Sequence, residues 1–104
     1  MEGAMVRRPA EWMTALDERI LELLADERWA TPRSITRRLS LRASVGRVRE
    51  RCRLLAEVGL VAPLSRERLH YGVTGSGRRY LAGSLDVRRL PRPLARDCNE
   101  RERG

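Results

Sequence analysis

The stretch Ser44–Val61, SVGRVRERCRLLAEVGLV, limits the possible folds of this chain more than any other segment. Val45, Val48, Cys52 and Leu55 recur at steps of three and four, the period of one helical face. Ser44 offers a hydroxyl at the N-cap position, and Gly59 stands where helices commonly end in a left-handed residue. With residues placed at about 100° intervals, the apolar seam leaves Gly46, Arg47, Glu50 and Arg53 on the opposite side, with Arg49 and Arg51 on the flanks. A helix over residues 44–58 must therefore bury one side and present an arginine-rich other. So short a helix depends on packing partners for its stability, and these must come from the rest of the chain.

The flanking sequence supplies them. Thr14 followed by Asp17 approximates a capping box, and Leu16, Ile20, Leu23 and Leu24 give a first helix its apolar stripe. The acids Asp17, Glu18, Glu22, Asp26 and Glu27 form its outer face, which makes it a scaffold and a poor phosphate contact. Thr31–Pro32 opens a second, short helix, with Ile35 and Leu39 as its buried pair. After Gly59 the pattern changes. Two short apolar-bearing runs, Val61–Leu64 and Leu69–Val73, flank SRER and predict a β-hairpin, in which Pro63 is tolerable near an edge. Thr74 then caps a last helix whose Tyr80 and Leu81 can pack back on the core.

The predicted fold is mainly α with a small β-hairpin wing, a winged helix-turn-helix. Its expected division is a flexible arm over 1–11, the winged-helix domain over 12–85, and a basic, largely disordered tail over 86–104.

Charge is polarised along this order. Residues 31–53 hold eight arginines against one acid, Glu50, whereas residues 11–30 hold six acids against two arginines. The positive block coincides with the second and third helices. Across all 104 residues the 22 basic side chains are every one Arg, and the net charge is +8. An arginine-rich helix face behind a short helix and a turn has the form that a DNA major groove accepts.

Competing chemistries find little in the sequence. There is no nucleophile elbow, P-loop or zinc spacing, and His70 is the sole histidine, so the chain reads as a non-enzyme without a metal or cofactor. Cys52 falls on the apolar seam and Cys98 in a polar stretch, which suits a reducing cytoplasm and not a disulfide framework. No apolar run reaches the ~20 residues of a membrane span, and the first residues lack a signal-peptide block. A cytoplasmic, nucleoid-associated protein is expected.

The segments PAEWMTALDERILELLADERWATPRSITRRLSL and VRERCRLLAEVGLVAPLSRERLHYGVTGSGRRYLAGSLD together resemble the short, phage-repressor-like winged-helix regulators of haloarchaea and their viruses. The likeness covers about residues 9–86, and VRERCRLLAEVGLV is its most specific run. More broadly, LLAEVGLV ahead of a hairpin is similar to MarR-, PadR- and ArsR-like regulators. The resemblance implies DNA binding through the third helix and the wing, commonly by a homodimer. It also implies an archaeal setting, although proteins of that group are usually acidic and this chain is basic.

The site expected on these grounds is Arg37, Arg38, Arg42, Ser44, Gly46, Arg47, Arg49, Glu50, Arg53, Arg66 and Arg68. Arg47, in the first turn and pointing outward, is the candidate for a guanine edge. Glu50 either accepts from a cytosine amino group or orients Arg47 or Arg53. Arg53 suits a phosphate, as does Ser44 at the helix N-terminus. Gly46 allows close approach of the backbone. Arg66 and Arg68 mark the wing tip, and Arg37, Arg38 and Arg42 flank the duplex. The expected partner is double-stranded DNA, bound by a transcriptional repressor. A winged helix bound to RNA or ribosomes, and a protein-interaction module, are the alternatives.

Overall fold

A computed structural model describes residues 7–39, 43–67 and 69–91. Thr14, with extended backbone, opens helix α1 (Ala15–Asp26). Its hydroxyl accepts from the Asp17 N–H at 3.3 Å, and the Asp17 carboxylate accepts from the Thr14 N–H at 2.9 Å. This reciprocal capping box satisfies two backbone donors that a helix start otherwise leaves open. Ile20, Leu21 and Leu24 are buried, and so is Asp17, with 0% exposure. That corrects the expected acidic outer face in one position. Asp17 points inward.

Helix α2 (Pro32–Leu39) starts on a second reciprocal cap. The Thr31 N–H donates to Ser34 Oγ and the Ser34 N–H to Thr31 Oγ1, each at 3.0 Å. Pro32 occupies the first helical position, where its missing N–H costs nothing. Helix α3 (Val45–Glu57) follows, with Ser44 Oγ accepting from the Arg47 N–H at 3.1 Å. Val48, Cys52, Leu54 and Leu55 are buried along its inner side. Gly59 stops it at φ 87°, donating to the Ala56 carbonyl while Leu60 donates to that of Leu55. This paired ending closes the last turn and needs a residue free to adopt positive φ.

The hairpin is shorter than the sequence predicts. β1 (Val61–Pro63) pairs antiparallel with β2 (Tyr71–Val73) in the register Val61↔Val73, Ala62↔Gly72, Pro63↔Tyr71. Proline cannot donate to a ladder, and regular pairing ends at Pro63, although the Leu64 N–H still reaches the His70 carbonyl at 2.8 Å. Along the other edge of β2, Ala30 exchanges two backbone hydrogen bonds with Tyr71, at 2.9 and 2.8 Å. This bridge ties the hairpin root to the residue just ahead of α2. It leaves Pro63 on the outer strand, as edge tolerance requires.

Helix α4 (Gly75–Leu81) is capped by Thr74, whose hydroxyl accepts from the Gly77 N–H and donates to the Gly59 carbonyl. Tyr80 is fully buried, and its hydroxyl donates to Glu18 of α1. Burial and that carboxylate push the phenol well above its ordinary range.

Packing reaches past the expected 12–85 range on both sides. Ala10 joins the core, Arg8 bridges to Asp86, and Val87 is 0% exposed within a short 3₁₀ turn, Val87–Arg89. Residues 1–6 of the expected arm and 92–104 of the expected tail lie outside the described residues.

Candidate nucleic-acid interface

Helix α3 packs on α1, α2 and β1 with its apolar seam, and this fixes which of its side chains reach solvent. Ser44, Gly46, Arg47, Arg49 and Arg53 are exposed, and Glu50 is half-buried beside them. Arg47 Nη1 lies 3.8 Å from Glu50 Oε1 at i,i+3 spacing. The Ser44 hydroxyl already serves as the cap of α3. A phosphate at this helix start would therefore meet a preorganised N-terminus, whose partial positive charge favours an anion.

The hairpin adjoins this helix face along the flank that carries Arg49. An open cleft of about 340 Å³ is lined by Thr31, Pro32 and Arg33 at the start of α2, Arg49 of α3, and Leu69 and His70 of the hairpin. Arg33 and Arg49 thus face one space from two helices, with the wing as its third wall. The ring of His70 meets Trp29 edge-to-face, with centroids 4.6 Å apart, which joins the hairpin to the segment ahead of α2. Arg66 is exposed near the tip of the hairpin. Arg42 and Arg68, both expected in the site, lie outside the described residues.

Arg37 and Arg38 are exposed on the last turn of α2. Arg38 pairs with Glu27 at the end of α1, at 2.8 Å. Exposed pairs of this kind contribute about 0–1 kcal/mol, so the Arg38 guanidinium can exchange Glu27 for another anion at little cost.

One arginine of the α3 cluster is not on the surface at all. Arg51, placed on a flank by the helical wheel, is 8% exposed. Its Nε donates to Asp17 Oδ1 at 2.8 Å and its Nη2 to Asp17 Oδ2 at 2.6 Å, a bidentate buried pair between α3 and α1. Nη2 also donates to the Trp12 carbonyl at 3.1 Å. The hydrogen bonds that Arg51 donates to Asp17 raise its pKa further, against the opposing effect of burial. Sequence spacing could not identify this pair, because its members are 34 residues apart. The available signal was an acid in the first turn of α1 on the same side as Ile20, Leu21 and Leu24.

Other chemistries gain no support from the geometry. Cys52 is buried and unpaired, and desolvation pushes its thiol up to about 12, so it stays protonated and inert. Among the described residues no group of three or more His, Cys, Asp or Glu could hold a metal, and no helix is long and apolar enough to cross a membrane.

The comparisons with known proteins agree with this geometry. The family model for a winged helix-turn-helix phage repressor matches residues 5–92. A repressor protein of Halobacterium phage phiH is 35% identical over 86 residues, spanning 82% of this chain and 97% of its relative. The crystal structure of a PhiH1 repressor-like protein from Haloarcula marismortui superposes with a TM-score of 0.76 at 32% identity, over 84% of this chain and 97% of the other.

Proposed function

Since the chain belongs to the winged helix-turn-helix phage repressor family, whose members act by binding DNA and not as enzymes, we propose that it is a sequence-specific repressor that lays α3 in the major groove with the hairpin as wing. The observation that carries this reading is the shared cleft. Arg49 of α3 and Leu69 and His70 of the hairpin line one space, so helix face and wing can meet one duplex together. A hairpin turned away from α3 would have left the arginine face to act alone.

Within this reading, Arg47 contacts a guanine edge and Glu50, at i,i+3, steadies it. Arg49 and Arg53 flank the groove, and Ser44 presents the helix start to a phosphate. Gly46, exposed and without a side chain, admits close backbone approach. Arg37, Arg38 and Arg42 line the backbone on one side, and Arg66 and Arg68 do so from the wing. The protein acts as a homodimer on a partly palindromic site, in an archaeal cytoplasm and close to the nucleoid. Repression follows from occlusion of a promoter.

The test is binding to the DNA upstream of the chain's own coding region, against random duplex and structured RNA of equal charge, across a salt series. A specific complex should persist at salt concentrations where random duplex is released. Arg47→Ala should cost about 1–3 kcal/mol and relax the choice at one base position. Equal affinity for every duplex at all salt concentrations would refute sequence-specific reading, and preference for the RNA would move the assignment to that polymer.

A further inference from the structure

A helix that reads base edges has to be aimed, and apolar packing aims it coarsely. Ridges-into-grooves contacts leave a scatter of about 15–20° in crossing angle. Arg47 lies four residues from Arg51, or about 6 Å of helical rise, so a swing of about 20° about that point displaces it by about 2 Å. A hydrogen bond to a base edge tolerates only a few tenths of an ångström around about 2.9 Å. Apolar packing of this kind is compatible with a range of helix angles, so small differences in how the seam of Val48, Cys52 and Leu55 is seated move the outward arginines.

Arg51 supplies the missing restraint. Its planar guanidinium meets both oxygens of Asp17 and the Trp12 carbonyl, so one side chain of α3 is held by three acceptors. Asp17 is fixed in turn, because Oδ2 also accepts from the Thr14 N–H in the α1 cap. The chain of contacts runs from the turn before α1, through the first turn of α1, to the middle of the reading helix. Among the described residues no buried side-chain polar atom lacks a partner. A fork meeting a carboxylate is directional in a way that apolar contacts are not.

Resting on the DNA-reading role given above, we propose that Asp17 and Arg51 are positioning residues that set the angle at which α3 presents Arg47, Glu50 and Arg53, and so determine sequence discrimination more than stability. Buried ion pairs replaced by apolar residues of similar size often leave a protein as stable as before. That separates the two roles.

The experiment compares the full chain with the double variant Asp17→Leu/Arg51→Met and the single variant Arg51→Lys. The double change removes one charge of each sign and leaves the net charge at +8, so electrostatic binding to arbitrary duplex should not alter. The specific probe is a duplex enriched by the parent protein from a random library, and the control is the same duplex scrambled. Each variant is followed by circular dichroism and by Kd on both probes at one salt concentration.

The double variant, which also gives up the Asp17 acceptor of the α1 capping box, should still fold and keep its affinity for scrambled duplex, while the ratio of the two Kd values falls at least tenfold. Arg51→Lys, which keeps the charge and loses the fork, should fall between the two. A folded double variant with its ratio within twofold of the parent overturns the proposal. Should the double variant not fold, Arg51→Lys decides by the same ratio. A parent that enriches no sequence refutes the DNA-reading role itself, and is recognised because the failure precedes any substitution.

Discussion

Gly77 of α4 gives the sharpest test of how the wing is seated, because two large effects of one substitution oppose each other there. Replacing an interior helical glycine with alanine favours the helix by about 0.8–1.0 kcal/mol. Here, however, a Cβ would stand 2.6 Å from Val73 Cγ2 and in direct conflict with the Leu60 carbonyl oxygen, a backbone atom that cannot rotate aside. The same carbonyl accepts from the Thr74 N–H at 3.1 Å, so retreat of Leu60, just ahead of β1, also weakens the junction between hairpin and helix. Overpacking of this kind costs about 1–3 kcal/mol, and the strained hydrogen bond costs about 1 kcal/mol more. After subtraction of the propensity gain, Gly77→Ala should destabilise by about 1–3 kcal/mol, which lowers the melting midpoint by about 4–8 °C per kcal/mol in a domain of this size. Gly75→Ala is the matched control, since its Cβ would meet only the flexible tip of Arg79, at 3.6 Å. It should leave stability unchanged or raise it. Thermal melts followed at 222 nm measure both. A Gly77→Ala protein as stable as the parent would refute the close approach of α4 to the hairpin root.

The two roles of Ser44, cap and phosphate neighbour, come apart under substitution. Ser44→Ala should lose about 1 kcal/mol of stability with the cap, whereas Ser44→Asp, an equally good cap, should keep stability and weaken duplex binding; denaturant melts and gel shifts that moved together in both variants would contradict this. In a Cys98→Ser background the Cys52 thiol, held near 12 by burial, should not react with a disulfide reagent at pH 8 until the protein unfolds, and fast labelling of that native protein would show the seam open. The Asp86 carboxylate is held at about 2, first by its hydrogen bonds to the Arg88 side chain. Because its folded value lies below its unfolded one, the contribution of this 3₁₀ cap is present in full above about pH 4 and is lost as pH falls towards 2. A carboxyl titration by NMR with its midpoint at the ordinary Asp value would remove the ion pair from the account.

Local signals were legible because they act over three or four residues. Thr14 with Asp17, Thr31 with Pro32, Ser44 and Gly59 each specify a helix end through atoms close in sequence, and each does so in the structure. What the pattern missed is non-local. Ala30 pairs with Tyr71 across 41 positions, and neither residue signals the other. Val87 reads as part of a charged, proline-broken segment, and only the spacing of Leu85, Val87 and Leu90 behind Asp86 hints that it turns inward. The hairpin was overextended for the opposite reason. Leu64 and Leu69 look like strand residues by type, yet they are 55% and 53% exposed around the turn, where apolar character cannot be taken as burial.

The same limit bears on charge, and it changes what the arginine block means. Counting sign along the chain treats the eight arginines of residues 31–53 as one surface field, but the geometry of the described ones separates them into different settings. Arg51 is internal and neutralised by Asp17, whereas Arg38 is exposed and only weakly paired with Glu27. Arg33 and Arg49 converge on the cleft beside the hairpin. Arg47 and Arg53 remain on the outward face of α3. A field made only of interchangeable charges would bind any polyanion and fade with salt. An arrangement in which one arginine is withdrawn to aim the others has a reason to be arginine at that position in particular, since Lys could not span both oxygens of a carboxylate. The dependence of discrimination on Arg51, and of general affinity on the exposed arginines, would therefore separate a reader of sequence from a basic surface that merely adheres to nucleic acid.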